Sequence, residues 1–238
     1  MNFQIVPVHD IPLDAQASIF NRAFAGYLAG WTDIDATGLA KLICAQSIDL
    51  CYSRFVCANG TLTGFGYINR TGNVSRLAGM GVVPEGRASG AAGFLVSHLL
   101  DEAKSRSDKT IVLECFEQNL PALALYRRHG FRELMRLFGW RRRPQKVDIP
   151  ITGDLEEISL LDVAQIRGSR DFPDLPWQTS RHAVMKLANA RAYQIDNVCV
   201  VVGNPNVAPI RIHALLGYDG FGYGAKCSRC RAKEISGK

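Results

Sequence analysis

A glycine- and alanine-rich segment, residues 80–93 (MGVVPEGRASGAAG), has the composition of a site that binds phosphate groups. Strand-forming residues lead to Pro84, small residues follow, and an apolar helix is predicted from about residue 90. Because the side chains are small where that helix begins, main-chain N–H groups can converge at the helix end that carries a partial positive charge. The segment is therefore predicted to bind a diphosphate. It has neither the lysine of a P-loop nor the Gly-x-Gly-x-x-Gly spacing of a dinucleotide-binding turn.

A second group of candidate residues follows the next predicted strand. Asn119 begins a helix that contains Tyr126, and this helix closes at Gly130 and Phe131. A phenol has an ordinary pKa of about 10 and can serve as a general acid. Asn119 is a candidate for capping the helix or for hydrogen-bonding a cofactor. The alternative for Tyr126 is an amphipathic tyrosine of the core.

Together the two patterns resemble the acyl-CoA-binding signatures of the GNAT acetyltransferase superfamily. In that family the first signature reads Val-x-Pro-x-x-(Arg/Gln)-x-x-Gly-x-(Gly/Ala), and it is matched by Val82, Pro84, Arg87, Gly90 and Ala92. The resemblance covers about the first 145 residues. It implies an N-acetyltransferase that moves the acetyl group of acetyl-CoA, its co-substrate, directly to an amine.

The resemblance also assigns residues to the cofactor. Main-chain N–H groups of the loop would surround the diphosphate, the pantetheine arm would lie beside the strand before the loop, and a main-chain N–H there would polarise the acetyl oxygen. Gly79 and Gly81 interrupt that strand and favour a bulge that separates it from its neighbour. The alternative is a tight turn whose small residues serve packing, with Arg87 only shaping the loop. The residues predicted to bind the cofactor are Met80, Gly81, Val82, Arg87, Ala88, Ser89, Gly90, Ala91, Ala92, Asn119 and Tyr126.

The resemblance implies that Tyr126 is the general acid, and the reaction also needs a base because an amine is mostly protonated at neutral pH. Glu114, on the strand opposite the loop, is the first candidate for this base, and Glu117 is the second. Family members often carry an acid on the strand before the loop, where this chain has Arg76. This departure leaves the base open, and a water relay is the alternative.

The acceptor is expected between the first two helices, near Trp31, Asp33 and Asp35, with Glu117 as a further contact. An indole beside two carboxylates suits a cationic polyamine or a sugar amine such as an aminoglycoside. A packed tryptophan and a helix cap are the alternative use of these residues. We expect a small polar amine as acceptor. The alternatives are a protein or peptide amine, and a regulatory CoA-binding module with little turnover.

The predicted elements of the first 140 residues follow the order β-α-α-β-β-β-α-β-α-β, which indicates a mixed, twisted sheet flanked by helices. This is the order of the GNAT fold, so we expect the α/β (α+β) class and a GNAT domain over residues 1–145. Three strands, at about 52–58, 62–69 and 74–83, precede the phosphate loop. Asn59-Gly60 is the predicted turn of the first hairpin.

The remaining chain, residues 150–238, starts a similar pattern. Helices are predicted at about 155–166 and 179–189, and strands at about 191–195, 198–202 and 208–216. The glycine-rich stretch at 217–224 has no Arg or Gln at the offset of a second phosphate loop, and the basic end from Lys226 is predicted to fray. We therefore expect a smaller, partial GNAT-like C-terminal domain that covers the first domain, shapes the acceptor cleft or makes a homodimer contact.

Composition excludes some partners and favours others. The formal charge of +6 favours an anionic ligand, which a phosphate-rich cofactor partly explains, and no motif of a nucleic-acid-binding module is present. No apolar run approaches the ~18 residues of a membrane span, and the start of the chain does not resemble a signal peptide. The seven cysteines are odd in number and mostly isolated, as is typical of thiols in a reducing compartment. We expect a cytoplasmic protein with no metal, nucleic-acid or membrane partner.

Overall fold

The computed structural model describes residues 1–28, 30, 33–138, 154–168, 177, 180–204, 206, 210–217 and 230–234. The chain divides into two compact units. The first consists of Met1–Arg136 together with Arg229–Lys238, and the second is Leu137–Ser228. The sequence-based boundaries were 1–145 and 150–238, so the structure groups the last residues of the chain with the first unit rather than with the second.

The first unit contains a seven-stranded sheet in the order β1-β2-β3-β4-β5-β11-β6. Strands β4 and β5 are parallel, and the other neighbours are antiparallel. This mixed sheet flanked by helices confirms the predicted fold class. Its elements are β1 (Phe3–Pro7), α1 (Leu13–Phe24), α2 (Ala36–Ala45), β2 (Ile48–Ala58), β3 (Thr61–Thr71), β4 (Val74–Val82), α3 (Ala91–Ser105), β5 (Thr110–Glu114), α4 (Leu120–Arg128), β6 (Arg132–Met135) and β11 (Cys230–Glu234).

Local sequence signals set several of these boundaries. Asp35 caps α2 by accepting a hydrogen bond from the Gly38 N–H at 2.7 Å, and Asn119 caps α4 through the Ala122 N–H at 3.3 Å. Asn59 and Gly60 both have positive φ, 50° and 81°, as the predicted hairpin turn between β2 and β3 requires. These short-range contacts explain why the element order could be predicted before any packing was known.

Apolar side chains cover both faces of the sheet. On one face, α3 and α4 pack over a cluster that includes Leu95, Leu99 and Leu113. On the other, α1 and α2 cover a cluster that includes Phe55 and Phe65, whose rings lie 5.9 Å apart. The two clusters hold the strands rigidly from both sides, so the ends of β4 and β5 are fixed in position for the site described below.

The strand β11 differs from the prediction that the basic end of the chain frays. It lies between β5 and β6 and runs antiparallel to both, with Cys230 opposite Glu114 and Ala232 opposite Val112. The second unit is thus inserted, along the chain, between β6 and β11. The partners of β11 are about a hundred residues away in sequence, and this long-range pairing, which satisfies main-chain groups of β5, left no local signal.

The second unit contains a four-stranded antiparallel sheet in the order β10-β9-β8-β7. Its elements are β7 (Glu156–Ile158), α5 (Leu160–Gly168), α6 (Arg181–Val184), β8 (Arg191–Ile195), β9 (Val198–Val202) and β10 (Ile212–Gly217). The prediction of a helix from about 155 was wrong at its start, because residues 156–158 pair with β8 and Ser159 precedes the helix. The helix predicted at about 179–189 is shorter, four residues.

The element and strand order of the second unit repeats that of β1 to β4 in the first. In both, one strand and two helices precede three antiparallel strands, and sequential strands are neighbours in the sheet. The shared order of elements supports a partial GNAT-like repeat, which stays a prediction. The glycine-rich stretch at 217–224 lies, apart from Gly217, outside the described residues. Within the described ranges, no helix has the length and apolar character that crossing a membrane requires.

Candidate active site

Strands β4 and β5 separate part of the way along their length. Their parallel pairing runs from Val74 opposite Thr110 to Leu77 opposite Leu113 and stops there, although β4 continues to Val82. The register between β3 and β4 shifts between Tyr67 and Ile68, which leaves Ala78 as the extra residue of a bulge. The bulge that the nearby glycines predicted is therefore present. Beyond it, β4 diverges from β5 and a cleft opens between them.

The end of β4 offers main-chain groups to this cleft. The Val83 N–H donates to the Thr63 carbonyl of β3 at 2.8 Å. In the antiparallel register, every second residue counted back from Val83 along β4 therefore directs its main-chain groups toward β3. In an antiparallel ladder the intervening residues direct their N–H and C=O groups to the opposite side. Met80 and Val82 thus present theirs toward the cleft. These are the positions that the sequence analysis assigned to the pantetheine arm and to the acetyl oxygen.

A cavity of about 1120 Å³ occupies the cleft. It is bordered by the end of α1, the end of β4, the loop before α3, the start of α3 and one side of α4. Nine of the eleven residues predicted to bind the cofactor line it: Met80, Gly81, Val82, Arg87, Ala88, Gly90, Ala92, Asn119 and Tyr126.

The other two predicted residues lie inside the loop. The Ser89 hydroxyl donates to the Gly86 carbonyl at 2.7 Å and accepts from the Ala91 N–H at 3.2 Å, so it holds the loop together. Ala91 is fully buried at the start of α3. Neither residue is among those that line the cavity.

Two residues in this loop have a left-handed backbone. Gly90, the residue before α3, has φ of 99°, and Ala88 has φ of 58°. A third residue, Gly86, approaches its neighbours closely, since a Cβ there would lie 1.9 Å from Thr63 Cγ2. The loop therefore needs glycine at two positions for different reasons: backbone conformation at Gly90 and space at Gly86. Its shape brings the first turn of α3 to the cavity wall.

Arg87 shapes the loop. Its guanidinium donates to the Ala23 carbonyl at the end of α1, at 3.2 Å, and to the Val82 carbonyl at the end of β4, at 3.4 Å. These contacts join the loop to the two elements that border the cavity. The sequence analysis left two uses of Arg87 open, charge for the diphosphate and shaping of the loop, and these contacts favour shaping.

Tyr126 lines the cavity from α4. Its side chain is 8% exposed, its ring packs edge-on against Phe131 at 5.6 Å, and its hydroxyl donates to the Met80 sulfur at 3.8 Å. Burial, with smaller contributions from Cys115 and Tyr27, raises the pKa of Tyr126 well above its ordinary value. The phenol is therefore protonated at neutral pH, and its O–H is available as a hydrogen-bond donor beside the end of β4.

Tyr27 is a cavity residue that the sequence analysis did not name. It follows α1, and its ring lies 5.0 Å from Phe24 and 5.6 Å from Phe116, which follows β5. Burial raises the pKa of Tyr27, while a side-chain hydrogen bond from Asn119 acts in the opposite direction. The spacing of Phe24 and Tyr27 was a weak sequence signal of an aromatic pair, but only the fold shows that it reaches the cleft.

Arg128 and His129, at the end of α4, also line the cavity. The His129 Nδ1 lies 2.9 Å from the Leu125 carbonyl, so this nitrogen carries the proton and donates. The other side of the ring faces Gly93 in the first turn of α3, since a Cβ on Gly93 would lie 3.8 Å from His129 Nε2. The sequence analysis did not assign these basic residues to the cofactor.

The predicted acidic residues all have structural partners. Glu114 pairs with Arg76 at 3.3 Å, and their side chains are 19% and 6% exposed. Glu117 pairs with Arg136 at 2.7 Å. Each glutamate therefore already has an arginine partner, and its role as the general base stays a prediction.

The predicted acceptor residues lie before α2. Asp33 accepts a hydrogen bond from the Asn21 amide at 3.2 Å, and Asp35 caps α2 as described above. Neither lines the cavity. Trp31 lies outside the described residues. Asp35 therefore serves as a helix cap, as the alternative in the sequence analysis had it. Acceptor binding by these residues stays a prediction.

Comparison with known proteins identifies the first unit. Residues 18–131 match the family described as Acetyltransferase (GNAT) family. A curated relative, the mycothiol acetyltransferase of Clavibacter sepedonicus, is 36% identical over 76 residues, which are 32% of this chain. The match spans 25% of that relative's length.

Two solved structures of acetyltransferases are also similar to part of this chain. The ribosomal-protein-S18-alanine N-acetyltransferase from Escherichia coli is 22% identical, with a TM-score of 0.49, over 58% of this chain and 83% of that one. The PaiA N-acetyltransferase from Thermoplasma acidophilum in complex with coenzyme A is 18% identical, with a TM-score of 0.46, over 56% of this chain and 92% of that one. The family match over residues 18–131, together with the separated strands β4 and β5, identifies a GNAT acetyltransferase domain in the first unit.

Proposed function

We propose that this chain transfers the acetyl group of acetyl-CoA to a primary amine of a small polar molecule, such as a polyamine or an aminoglycoside. The observation that carries the proposal is the cleft between β4 and β5. Main-chain groups of Met80 and Val82 face it, and the loop before α3 and Tyr126 also line it. These are the groups that a long, anionic thioester needs.

The residues present fit acetyl-CoA. The first turn of α3 offers N–H groups and a partial positive charge to a diphosphate, and the left-handed Gly90 directs that turn at the cavity. The pantetheine arm carries amide groups, which the free edge of β4 can pair with in the manner of an added strand. Bound acetyl-CoA would supply the thioester that is attacked.

Three groups of this chain would then act on the thioester. A main-chain N–H of Met80 or Val82 would stabilise the negative charge that develops on the acetyl oxygen. The Tyr126 O–H would donate to the sulfur as the C–S bond breaks, because the Met80 contact leaves it pointed at the end of β4. For the proton that the amine must lose, we retain Glu114 as the candidate base, with a water relay between it and the amine.

Surface charge supports this acceptor class. The residues before α2 carry exposed carboxylates at Asp33 and Asp35, which would attract a cation at the surface. A polyamine or an aminoglycoside has several ammonium groups that meet this condition. The similar proteins named above include a mycothiol acetyltransferase and an acetyltransferase of a ribosomal protein, so the test includes both small-molecule and protein acceptors.

The proposal is tested by thiol release from acetyl-CoA with spermidine, an aminoglycoside and an unblocked peptide as acceptors. We expect thiol release with at least one small amine and product mass increased by one acetyl group. Calorimetry with CoA is measured in parallel on the same protein, so that binding and turnover are known separately.

Each outcome assigns the chain differently. Turnover with the peptide alone would replace the small amine by a protein or peptide acceptor. CoA binding without turnover on any acceptor would make the chain a regulatory CoA-binding module. Absence of CoA binding would refute the cofactor site itself.

We also propose that the protein is cytoplasmic. Five cysteines among those whose side chains the structure describes are free thiols: Cys44, Cys51, Cys57, Cys115 and Cys199. Free thiols on a surface, as at Cys44 and Cys51, are typical of proteins in a reducing environment, which favours the cytoplasm. Labelling with a thiol reagent should therefore modify these two cysteines in freshly purified protein without prior reduction.

A further inference from the structure

The Met80 side chain projects from β4 on the face of the sheet that α3 covers. Met80 lies opposite Gly66 of β3, and paired residues of antiparallel strands have their side-chain positions on the same face. A Cβ on Gly66 would lie 2.6 Å from Leu99 Cδ1, on α3, which identifies that face. Met80 is partly buried against the apolar cluster there and also lines the cavity. Since its main-chain groups lie in the plane of the sheet, Met80 offers the cavity both a main-chain edge and a thioether.

Neighbouring side chains restrict this thioether. The Met80 sulfur accepts a hydrogen bond from the Tyr126 hydroxyl at 3.8 Å. Toward β3, the space over Gly66 is already filled, because a Cβ there would lie 3.6 Å from Leu95 Cδ2 as well as 2.6 Å from Leu99 Cδ1. The side chain therefore cannot move over β3 without displacing α3, and it stays beside Tyr126 in the cavity wall.

The two residues that flank Met80 have no side chains, since both are glycine, Gly79 and Gly81. On the other face of the sheet, a Cβ on Gly81 would lie 2.8 Å from Ala23 Cβ, at the end of α1. Helix α1 therefore packs directly on β4 at this point and leaves no space there for a bound group. Between Gly79 and Gly81, the Met80 side chain is what determines the room beside the strand.

The proposed acetyl transfer places the acyl group next to this side chain. A main-chain N–H of Met80 or Val82 would bind the acetyl oxygen, and the Tyr126 hydroxyl would donate to the sulfur that carries the acetyl group. The Met80 side chain joins these two groups, because it is attached to the first and its sulfur contacts the second at 3.8 Å. An acyl group held by both therefore has the Met80 thioether as a neighbour.

We propose that Met80 is a specificity-determining residue, whose side chain limits the transferred acyl group to acetyl. This inference rests on the proposed acetyl transfer. Propionyl and butyryl groups extend the acetyl group by methylene units, which would have to displace a thioether packed against Tyr126 and the cluster under α3. One methylene too many in an apolar pocket lowers kcat/KM about 10- to 200-fold.

The test compares acetyl-, propionyl- and butyryl-CoA as donors, by thiol release with the acceptor of the panel that gives turnover. We expect the wild type to favour acetyl-CoA over butyryl-CoA at least about tenfold in kcat/KM. Met80→Ala removes Cγ, Sδ and Cε and should reduce this preference about tenfold. Met80→Val, which suits a strand, also shortens the side chain and should reduce the preference in the same direction if the alanine variant does not fold. Calorimetry without acceptor gives a second readout, since the affinity for butyryl-CoA relative to CoA should rise in both variants.

Two controls separate size from other effects. Met80→Leu keeps the volume of the side chain and removes the sulfur, so it should retain the preference for acetyl-CoA. Leu42→Ala shortens a side chain that is partly buried on the other face of the sheet and is not among the residues that line the cavity. It should lower Tm without changing the ratio of kcat/KM between the donors.

Three results would overturn the proposal. They are a wild type that uses butyryl-CoA as well as acetyl-CoA, folded Met80→Ala and Met80→Val variants that keep the wild-type preference, and a Met80→Leu variant that loses it as Met80→Ala does. Failure of the proposed function itself is recognised differently, since the wild type would then bind no CoA or release no thiol from any of the donors.

Discussion

Substitution of Gly90 tests the phosphate loop most directly. Gly90 has φ of 99°, and a Cβ at this position would lie 3.6 Å from the Phe3 ring, an ordinary contact. Protein atoms therefore leave room for a methyl group, and the backbone conformation is what disfavours a side chain. An L-residue in a left-handed conformation costs about 1–2 kcal/mol, and a β-branched one costs more.

The strain in a Gly90 variant can lower either the free energy of unfolding or the affinity for CoA. If the loop keeps its shape in Gly90→Ala, the free energy of unfolding falls by about 1–2 kcal/mol. If the loop relaxes to a negative φ, the N–H groups at the start of α3 no longer converge and the same free energy is lost from binding. The expected loss of CoA affinity is then about 5- to 30-fold, at a factor of ten per 1.4 kcal/mol. Gly90→Val, which tolerates the left-handed region least, should show the larger binding loss.

The matched control is Gly60→Ala. Gly60 has φ of 81° in the hairpin between β2 and β3, and a Cβ added there would meet no atom within 4 Å beyond its chain neighbours. This change places the same kind of strain far from the cavity, so stability should fall without any change in CoA affinity. Calorimetry with CoA and thermal unfolding of each variant measure the two quantities. If Gly90→Val binds CoA as tightly as the wild type, the loop does not hold the diphosphate.

Three further changes test separate parts of the site. Tyr126→Phe should lower kcat about tenfold and leave CoA affinity within about twofold, because its hydrogen bond to sulfur strengthens only in the transition state; equal rates would remove Tyr126 from the mechanism. Glu114→Gln should lower the rate at neutral pH, and the rate should recover as the pH approaches the amine pKa of about 10, because the acceptor then loses its proton unaided. A loss of rate that is constant with pH would instead indicate that Glu114 serves only to pair with Arg76. Gly86→Ala should lower Tm, since its Cβ would meet Thr63 Cγ2 at 1.9 Å, and adding Thr63→Ser should restore part of the loss by removing that methyl group; no rescue would show that the clash is relieved elsewhere.

Local signals predicted much of the first unit. The cap residues Asp35 and Asn119 and the turn at Asn59-Gly60 act through neighbours within a few residues, so their effect can be read before the fold is known. The same is true of the loop before α3, where composition alone indicated that main-chain groups would be accessible. For this reason the fold class and the position of the cleft agree with the prediction.

Long-range contacts account for the differences. Strand β11 pairs with β5 from the other end of the chain, and β7 forms because β8 lies beside it. The acidic residues chosen for chemistry turned out to have arginine or main-chain partners, as Glu114 and Asp35 show. Residue type indicates that a carboxylate could act, but its nearest cation is decided by packing.

The order of helices and strands from β1 to β6, the composition of the loop before α3 and the family of the domain were already determined by the amino-acid sequence, because each can be recognised from residues close together in the chain. Only the tertiary structure decided which groups meet in the cleft. It placed Tyr27, from the loop after α1, and Tyr126, on α4, in the wall of the same cavity, and it engaged the Arg87 guanidinium with two carbonyl groups. Such contacts join residues that are distant in sequence, and their geometry exists only after both faces of the sheet have packed.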